Sequence, residues 1–347
     1  MQQIIKSNKI ADDLSKVLNN TSYDKLFVLT DEHTDIQCYT FIELVPAIQK
    51  AKRVVIPAND SNKNIENLVH VWKFLTTNGA TRHSLLINLG GGMITDLGGF
   101  AAATYKRGIA YINIPTTLLG SVDAAVGGKT GINFEGYKNE IGAFYPALHI
   151  IISAEFLNSL SPKDILSGYA EMIKHGLLDS DAIWNRTINF DLQTIDYSLL
   201  NDLVMESVFI KQRIVEKDPY EKNIRKALNL GHTIGHAFES FALDNDRAVP
   251  HGFAVAWGLV AELYLSHKLC NFPKKTLDVV TQFIKQYYGT FDFNREDYNT
   301  LYQLMIHDKK NVGDTINFTL LANVGDIQID QTADRGLIEE ALDYYKG

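Results

Sequence analysis

Of the ten histidines in this chain, three stand at spacings that carry chemical meaning. His232 and His236 lie four apart in Arg225-Lys-Ala-Leu-Asn-Leu-Gly-His-Thr-Ile-Gly-His236, and His251 follows Pro250 at the start of another helical run. Two imidazoles at i, i+4 on a helix share a face, so they can hold one metal ion together, or one can ligate while the other moves protons. Arg225 and Asn229 continue the same spacing, and if residues 225–236 are helical, Arg225, Asn229, His232 and His236 form one polar stripe. Earlier, Glu171 and Lys174 are i, i+3 neighbours in Gly168-Tyr-Ala-Glu-Met-Ile-Lys-His175. Alone they read as a surface ion pair; with two histidines and an open position, the glutamate completes a catalytic zinc set. The motif HExxH is absent, which argues against a metalloprotease.

Glycine marks a second centre of chemistry, because 12 of the 24 glycines fall between Gly90 and Gly142. An apolar run at residues 84–88 leads into Gly90-Gly91-Gly92 and Asp96, and glycines at a strand-to-helix turn let backbone N–H groups approach a pyrophosphate. The spacing is not G-x-G-x-x-G, so a plain tight turn reads equally well. Asp31, just after another apolar run, either accepts from ribose hydroxyls, favouring NAD over NADP, or caps the helix behind it. Downstream, Val126-Gly-Gly-Lys-Thr130 and Lys138-Asn139 put lysines on mobile backbone, which suits a phosphorylated small molecule. Without the Walker A spacing, a surface turn is the alternative.

These residues need a scaffold. Short β-branched runs at 26–30, 53–57 and 84–88 alternate with amphipathic stretches, the pattern of βαβ units on a parallel sheet. Beyond about residue 155, helical periodicity dominates at 164–178, 199–216, 227–241, 254–269 and 275–288, before a short strand at 315–321 and a closing helix at 336–345. The expected architecture is an N-terminal α/β, Rossmann-like nucleotide-binding domain over 1–155, followed by a mainly α-helical metal-binding domain over 156–347.

With 347 residues, 46% hydrophobic and 21% charged, the chain is neither disordered nor collagenous. Its net charge of -8 supplies no field for nucleic acid or anionic lipid. Two cysteines, Cys38 and Cys270, form no disulfide framework, and a reducing compartment is expected. The N-terminus lacks the apolar region of a signal peptide. The longest uncharged stretch, 108–122, falls short of the roughly 20 apolar residues that span a bilayer. Together these point to a cytoplasmic protein without a membrane partner.

Taken in order, Gly90-Gly-Gly-x-x-x-Asp96, Tyr105-Lys-Arg-Gly108, Ile114-Pro-Thr-Thr-Leu-Leu119, Val126-Gly-Gly-Lys-Thr130, Lys138-Asn-Glu-Ile-Gly-Ala-Phe144, Ala170-Glu-Met-Ile-Lys174, Leu228-Asn-Leu-Gly-His-Thr-Ile-Gly-His236, His251-Gly252 and Asp308-Lys-Lys310 resemble the 3-dehydroquinate synthase family of sugar phosphate cyclases. The resemblance spans residues 31–325. It implies Zn²⁺, with Co²⁺ able to substitute, on Glu171, His232 and His251. It implies NAD at Gly91, Gly92, Asp96, Thr116 and Thr117, with Asp31 at the ribose, Asp60 and Lys63 near the cofactor's other end, and Lys129 and Lys138 reaching cofactor as well as substrate. The substrate residues it implies are Asp123, Lys129, Lys138, Asn139, Lys174, Lys211, Arg225, Asn229 and His236. Arg107 would be donated from a partner subunit of a homodimer, and one or both of Lys309 and Lys310 would approach the substrate phosphate.

The implied reaction turns 3-deoxy-D-arabino-heptulosonate 7-phosphate into 3-dehydroquinate and phosphate. NAD⁺ takes hydride from a metal-polarised C5 hydroxyl, the ketone acidifies the C6 proton, phosphate leaves, the hydride returns, and ring opening precedes aldol closure. The chain departs from the family pattern at Phe253, where a glutamate normally follows His-Gly, at His33 for asparagine, at Ser159 for threonine, and in a longer, more charged segment at 242–250. Other readings are a cyclase acting on a substrate without a carboxylate, a metal-dependent NAD-linked polyol dehydrogenase of similar architecture, and a non-catalytic scaffold of the fold.

Overall fold

The computed structural model describes residues 2–135, 137–306 and 315–347. The elements run β1 (Gln3–Ser7), α1 (Ile10–Asn19), β2 (Leu26–Asp31), α2 (Glu32–Gln37), β3 (Lys52–Ile56), α3 (Ile65–Thr77), β4 (Leu85–Gly90), α4 (Gly92–Thr104), β5 (Ala110–Pro115), β6 (Lys129–Phe134), β7 (Tyr137–Phe144), β8 (His149–Ser153), α5 (Pro162–Asp179), α6 (Asp181–Ile188), α7 (Tyr197–Lys217), α8 (His232–Asp244), α9 (His251–Cys270), α10 (Lys274–Tyr288), α11 (Tyr298–Ile306), β9 (Asn317–Asn323), β10 (Asp326–Thr332) and α12 (Arg335–Lys346). They form two compact units, Met1–Ser161 with Asp196–Val208, and Pro162–Ile195 with Phe209–Gly347.

The first unit is a six-stranded sheet in the order β1-β8-β5-β4-β2-β3, parallel throughout. Every residue of β2 and β4 is buried, as near-continuous apolar strands must be when both faces are covered. On one face Val28, Leu85, Ile87, Ile112 and Ile151 pack with Ile10 and Leu14 of α1. The chain winds outward from β2 to β3, then returns past β2 to β4. Winding therefore reverses between β2 and β4, and the carboxyl ends at that reversal are where doubly wound sheets bind ligands. The two ends are Asp31 and Gly90. A separate antiparallel hairpin, β6–β7, follows β5.

In the second unit α9 is apolar on nearly all sides, with Gly252 and every residue from Ala254 to Ser266 buried, as a helix enclosed by others must be. Around it, α10 is amphipathic and buries Leu277, Val280, Phe283, Ile284 and Tyr288, and β9–β10 forms an antiparallel pair. Among the described residues, no helix is long and apolar enough to cross a membrane.

Two expectations change. The helix expected over 227–241 is a 3-10 turn, Ile224–Asn229, then a left-handed Gly231 at φ 79°, then α8 starting on His232. The break lets the chain run against α9: a Cβ at Gly258 would lie 2.1 Å from the Gly231 carbonyl oxygen and 2.6 Å from the Gly235 nitrogen. Arg225 and Asn229 thus stand outside the helix that carries His232 and His236. Strands β1, β5, β6, β7, β8 and β10 were not anticipated; β5 in particular reads in sequence only as an uncharged stretch.

The atoms a Gly258→Ala methyl would meet are backbone and cannot rotate away. The substitution should therefore destabilise the fold by about 1–3 kcal/mol, read from urea denaturation. An unchanged midpoint would show that α8 and α9 can separate at no cost.

Candidate active site

Helix α5 carries Glu171 and Lys174, with side-chain exposures of 0% and 1%. The ion pair that reads in sequence as a surface contact is therefore a buried one. The Lys174 ammonium also donates to the Leu228 carbonyl at 2.8 Å. Neither Glu171 oxygen receives a well-directed hydrogen bond. Instead Oε1 lies 3.5 Å from His232 Nε2 and 3.7 Å from His251 Nε2. Those separations exceed a hydrogen bond but approach the roughly 3.3–3.4 Å between two ligands about 2.0–2.1 Å from one tetrahedral ion. His236 joins them, since ligand atoms of His232, His236 and His251 all lie within 4.8 Å of one another. One buried carboxylate and three imidazoles is a donor set that fits zinc or cobalt.

Each imidazole must present a lone pair. The Leu230 carbonyl, 3.1 Å from His232 Nδ1, can only accept, so the proton sits on Nδ1 and Nε2 faces Glu171. His251 Nδ1 lies 3.0 Å from Glu239 Oε2, which orients it the same way. The long segment before His251 thus still delivers it to the cluster, and Phe253 packs on Trp257 and Tyr288. The first turn of α8 is held by Glu262, whose oxygens accept from the Gly231 and Ile234 amides at 2.6 and 2.9 Å. Glu239 and Glu262 were missed in the sequence. The signals were present: Glu239 lies three residues beyond His236, and Glu262 is an acid inside an apolar helix.

Arg225 is buried to 2% and donates to the Pro219 carbonyl at 2.6 Å; Asn229 donates to Glu221 at 3.0 Å. Asp218 folds this loop by accepting the amides of Lys222, Asn223 and Arg225 at 3.0, 2.6 and 3.1 Å. Burial pushes the Asp218 carboxyl up, but those amides and the Arg225 charge outweigh it and hold it below the ordinary value. Lys211 is buried on α7.

In the first unit, Gly91 caps α4; a Cβ there would lie 3.1 Å from Thr117 Cγ2, and one on Gly92 would lie 3.2 Å from Ala124 Cβ. The α4 amides are thus presented through a turn too tight for side chains, which fits a pyrophosphate. Thr116, nearly fully buried, donates its amide to the Gly90 carbonyl at 3.1 Å. Asp31 is a helix cap, its Oδ1 accepting from the His33 and Thr34 amides at 2.9 Å each. Buried Lys63 bridges Asp96 at 3.1 Å and Asp60 at 3.4 Å. Desolvation disfavours its charge, but the two carboxylates outweigh it and raise its pKa. Lys138 lies 3.8 Å from Asp60. Asp123 sits in a short π-helical turn, Gly120–Ala124, a distortion common at functional sites. Lys129 opens β6, exposed; Asn139 has φ 55°. Ser159 donates to the Phe156 carbonyl at 3.0 Å. Lys309 and Lys310 lie outside the described residues.

A nucleotide-binding type of parallel sheet joined to a helical unit with a buried carboxylate–imidazole cluster defines a two-unit metalloenzyme. The family models described as 3-dehydroquinate synthase N-terminal and C-terminal match residues 53–167 and 168–311. The 3-dehydroquinate synthase of Parabacteroides distasonis is 55% identical over 345 residues, 99% of this chain and 98% of its own. That of Pyrococcus furiosus is 38% identical over 96% of each. The chain belongs to the 3-dehydroquinate synthase family. Among solved structures it shares its fold with 2-deoxy-scyllo-inosose synthase complexed with carbaglucose-6-phosphate, NAD⁺ and Co²⁺ (TM-score 0.86, 20% identity, 99% of this chain and 96% of that one). An iron-containing alcohol dehydrogenase from Thermococcus thioreducens shares it at a TM-score of 0.72, with 14% identity over 100% of this chain and 98% of that one.

Alanine at Glu171, His232 or His251 should weaken zinc binding by more than the roughly 10–100-fold that loss of an outer partner costs, measured by chelator competition on folded protein. Undiminished zinc in His251→Ala would show His236 taking that place. A carboxylate with a depressed folded value contributes stability that is complete above its unfolded pKa, near 4, and lost as pH falls through the folded one. The stability gap between wild type and Asp218→Asn should therefore be constant above about pH 5 and shrink in acid, by urea midpoints across pH. A gap independent of pH would sink this account.

Proposed function

We propose that this chain converts 3-deoxy-D-arabino-heptulosonate 7-phosphate into 3-dehydroquinate and phosphate, as a catalyst that uses NAD and a divalent metal without consuming either. The observation that carries the reading is the meeting of buried Glu171 and His232 with half-buried His236 and His251 in one cluster, in a chain whose likeness to the family covers nearly all of its length.

Glu171, His232 and His251 hold the metal, and the α4 turn with Asp31, Asp60, Lys63, Asp96, Thr116 and Thr117 holds NAD. When bound, the metal supplies Lewis-acid polarisation of a substrate hydroxyl and NAD supplies reversible hydride transfer. The chain's own groups do the rest. His236 moves protons, since imidazole titrates near neutral pH. Lys129 and Lys138 supply positive charge for the leaving phosphate, and Asn139 and Asp123 hold hydroxyl and phosphate oxygens. Arg225, buried and braced by Asp218, reads the substrate carboxylate with a rigid fork of donors, with Lys211, Lys174 and Asn229 as its polar neighbours in this assignment.

Arg107 is assigned to the substrate phosphate of a partner subunit in a homodimer. It is exposed at φ 67°, next to Lys106 at φ 50°. Left-handed conformations at non-glycine residues cost of order 1–3 kcal/mol each, and two in succession turn the chain sharply at this exposed arginine. A small biosynthetic substrate and the absence of a membrane-crossing helix among the described residues support a cytoplasmic setting.

The test is phosphate release from the heptulosonate phosphate with stoichiometric NAD. Many equivalents of phosphate should appear per NAD with no lasting NADH absorbance. Chelator should stop turnover and zinc or cobalt restore it. NADH accumulating in step with substrate loss would instead identify a polyol-type dehydrogenase.

A further inference from the structure

We propose that Asn133 is a positioning residue that couples dinucleotide binding at Asp60 and Lys63 to the placement of Lys138 and Asn139; this rests on the roles given to those four residues above. Strands β6 and β7 pair from Lys129↔Phe144 to Ile132↔Ile141 and again at Phe134↔Tyr137. Between those rungs one residue of β6, Asn133, faces three of β7, residues 138–140. Such irregularities re-aim side chains and gather beside active sites.

Released from the ladder, the Asn133 N–H donates to the Lys63 carbonyl at 2.7 Å. Its carboxamide then works in two directions. Nδ2 donates to Asp60, to the carbonyl at 3.1 Å and to Oδ2 at 3.2 Å, while Oδ1 accepts the Asn139 amide at 3.2 Å. Asn139 is in a left-handed conformation, φ 55°, which asparagine tolerates better than most residues and which the bond from its amide to Asn133 Oδ1 helps to fix. Asp60 is held in turn by its charges. Burial pushes its carboxyl up, yet Lys63, Lys138 and Asn133 outweigh that and hold it below the usual range. A group that engages Asp60 and Lys63 therefore acts through one amide side chain on the two hairpin residues.

A carboxamide alone among side chains of this length offers both a donor and an acceptor, which gives two informative variants. Asn133→Ala removes both arms. Asn133→Asp keeps the acceptor for Asn139, loses the donor, and sets a like charge beside Asp60. Hydrogen exchange of peptides spanning 129–144 would be followed in the full chain with and without saturating NAD⁺, alongside NAD⁺ affinity. In wild type, NAD⁺ should slow exchange across 138–140. Asn133→Ala should weaken NAD⁺ at least fivefold and abolish that slowing even at saturation. Asn133→Asp should keep the protection seen without NAD⁺ and lose the NAD⁺-dependent part. An NAD⁺-dependent slowing as large in Asn133→Ala as in wild type would overturn the proposal, even if exchange is faster overall, because that is the mark of a purely structural residue. Wild type failing to bind NAD⁺ would overturn the functional reading as well, whereas normal binding with an unchanged response in both variants overturns only the role of Asn133.

Discussion

A carboxylate that solvent does not reach has to be answered by donors or by positive charge, and the second unit is arranged around two such groups with opposite solutions. Glu262, fully buried, spends both oxygens on the amides at the start of α8, where the helix offers unpaired N–H groups and the positive end of its dipole. It is complete without any ligand. Glu171, equally buried, takes no well-directed hydrogen bond and is faced by the Lys174 ammonium and two imidazole nitrogens. Removing one partner of a buried charge pair typically costs about 3–5 kcal/mol. The placement of α8 and α9 over α5 is therefore tied to this one side chain. The same residue type is a helix cap in one place and the centre of a donor set in the other, and the difference lies in what each oxygen faces.

The first unit meets a related demand with backbone in place of side chains. Parallel strands that reverse their winding between β2 and β4 leave two carboxyl ends side by side, and the turn after β4 offers the α4 amides to an anion. Cationic side chains enter only at the periphery, through Lys63 and the β6–β7 hairpin. Lys63 is buried between Asp60 and Asp96, and Lys129 and Lys138 stand at exposed hairpin positions, Lys138 3.8 Å from Asp60.

Periodicity made the alternating β2–β4 region and most long helices legible in the sequence, because a parallel sheet and an enclosed helix each impose a period that composition reveals. It failed where a single backbone conformation decided the outcome. Nothing in the 3.6-residue pattern over 227–241 distinguishes a continuous helix from one broken at Gly231; only the close approach to Gly258, 27 residues further on, requires the break. The residues of the carboxylate–imidazole cluster were legible from their types and spacing, and their supporters were not, since Glu239, Glu262 and Asp218 act through backbone amides or imidazole nitrogens whose positions exist only in the fold. Asn133 was hidden for the same reason: its importance arises from a strand irregularity, and hairpin register is not written in residue type.

His251 shows how the start of one helix is tied to its neighbours by both polar and apolar contacts. An imidazole that presents a lone pair at Nε2 needs an acceptor at Nδ1, which is a backbone carbonyl at His232 and a carboxylate at His251. Glu239, reaching from α8, meets His251 Nδ1 at 3.0 Å. Two residues on, Phe253 stacks edge-on against Tyr288 and Trp257. Tyr288 in turn donates to the Leu166 carbonyl at 2.9 Å, one turn and a residue before Glu171 on α5. The ring thus ties the start of α9 to the helix that carries the buried carboxylate. The first residue of α9 is thus fixed to α8 through Glu239, and its third is linked to α5 through Tyr288.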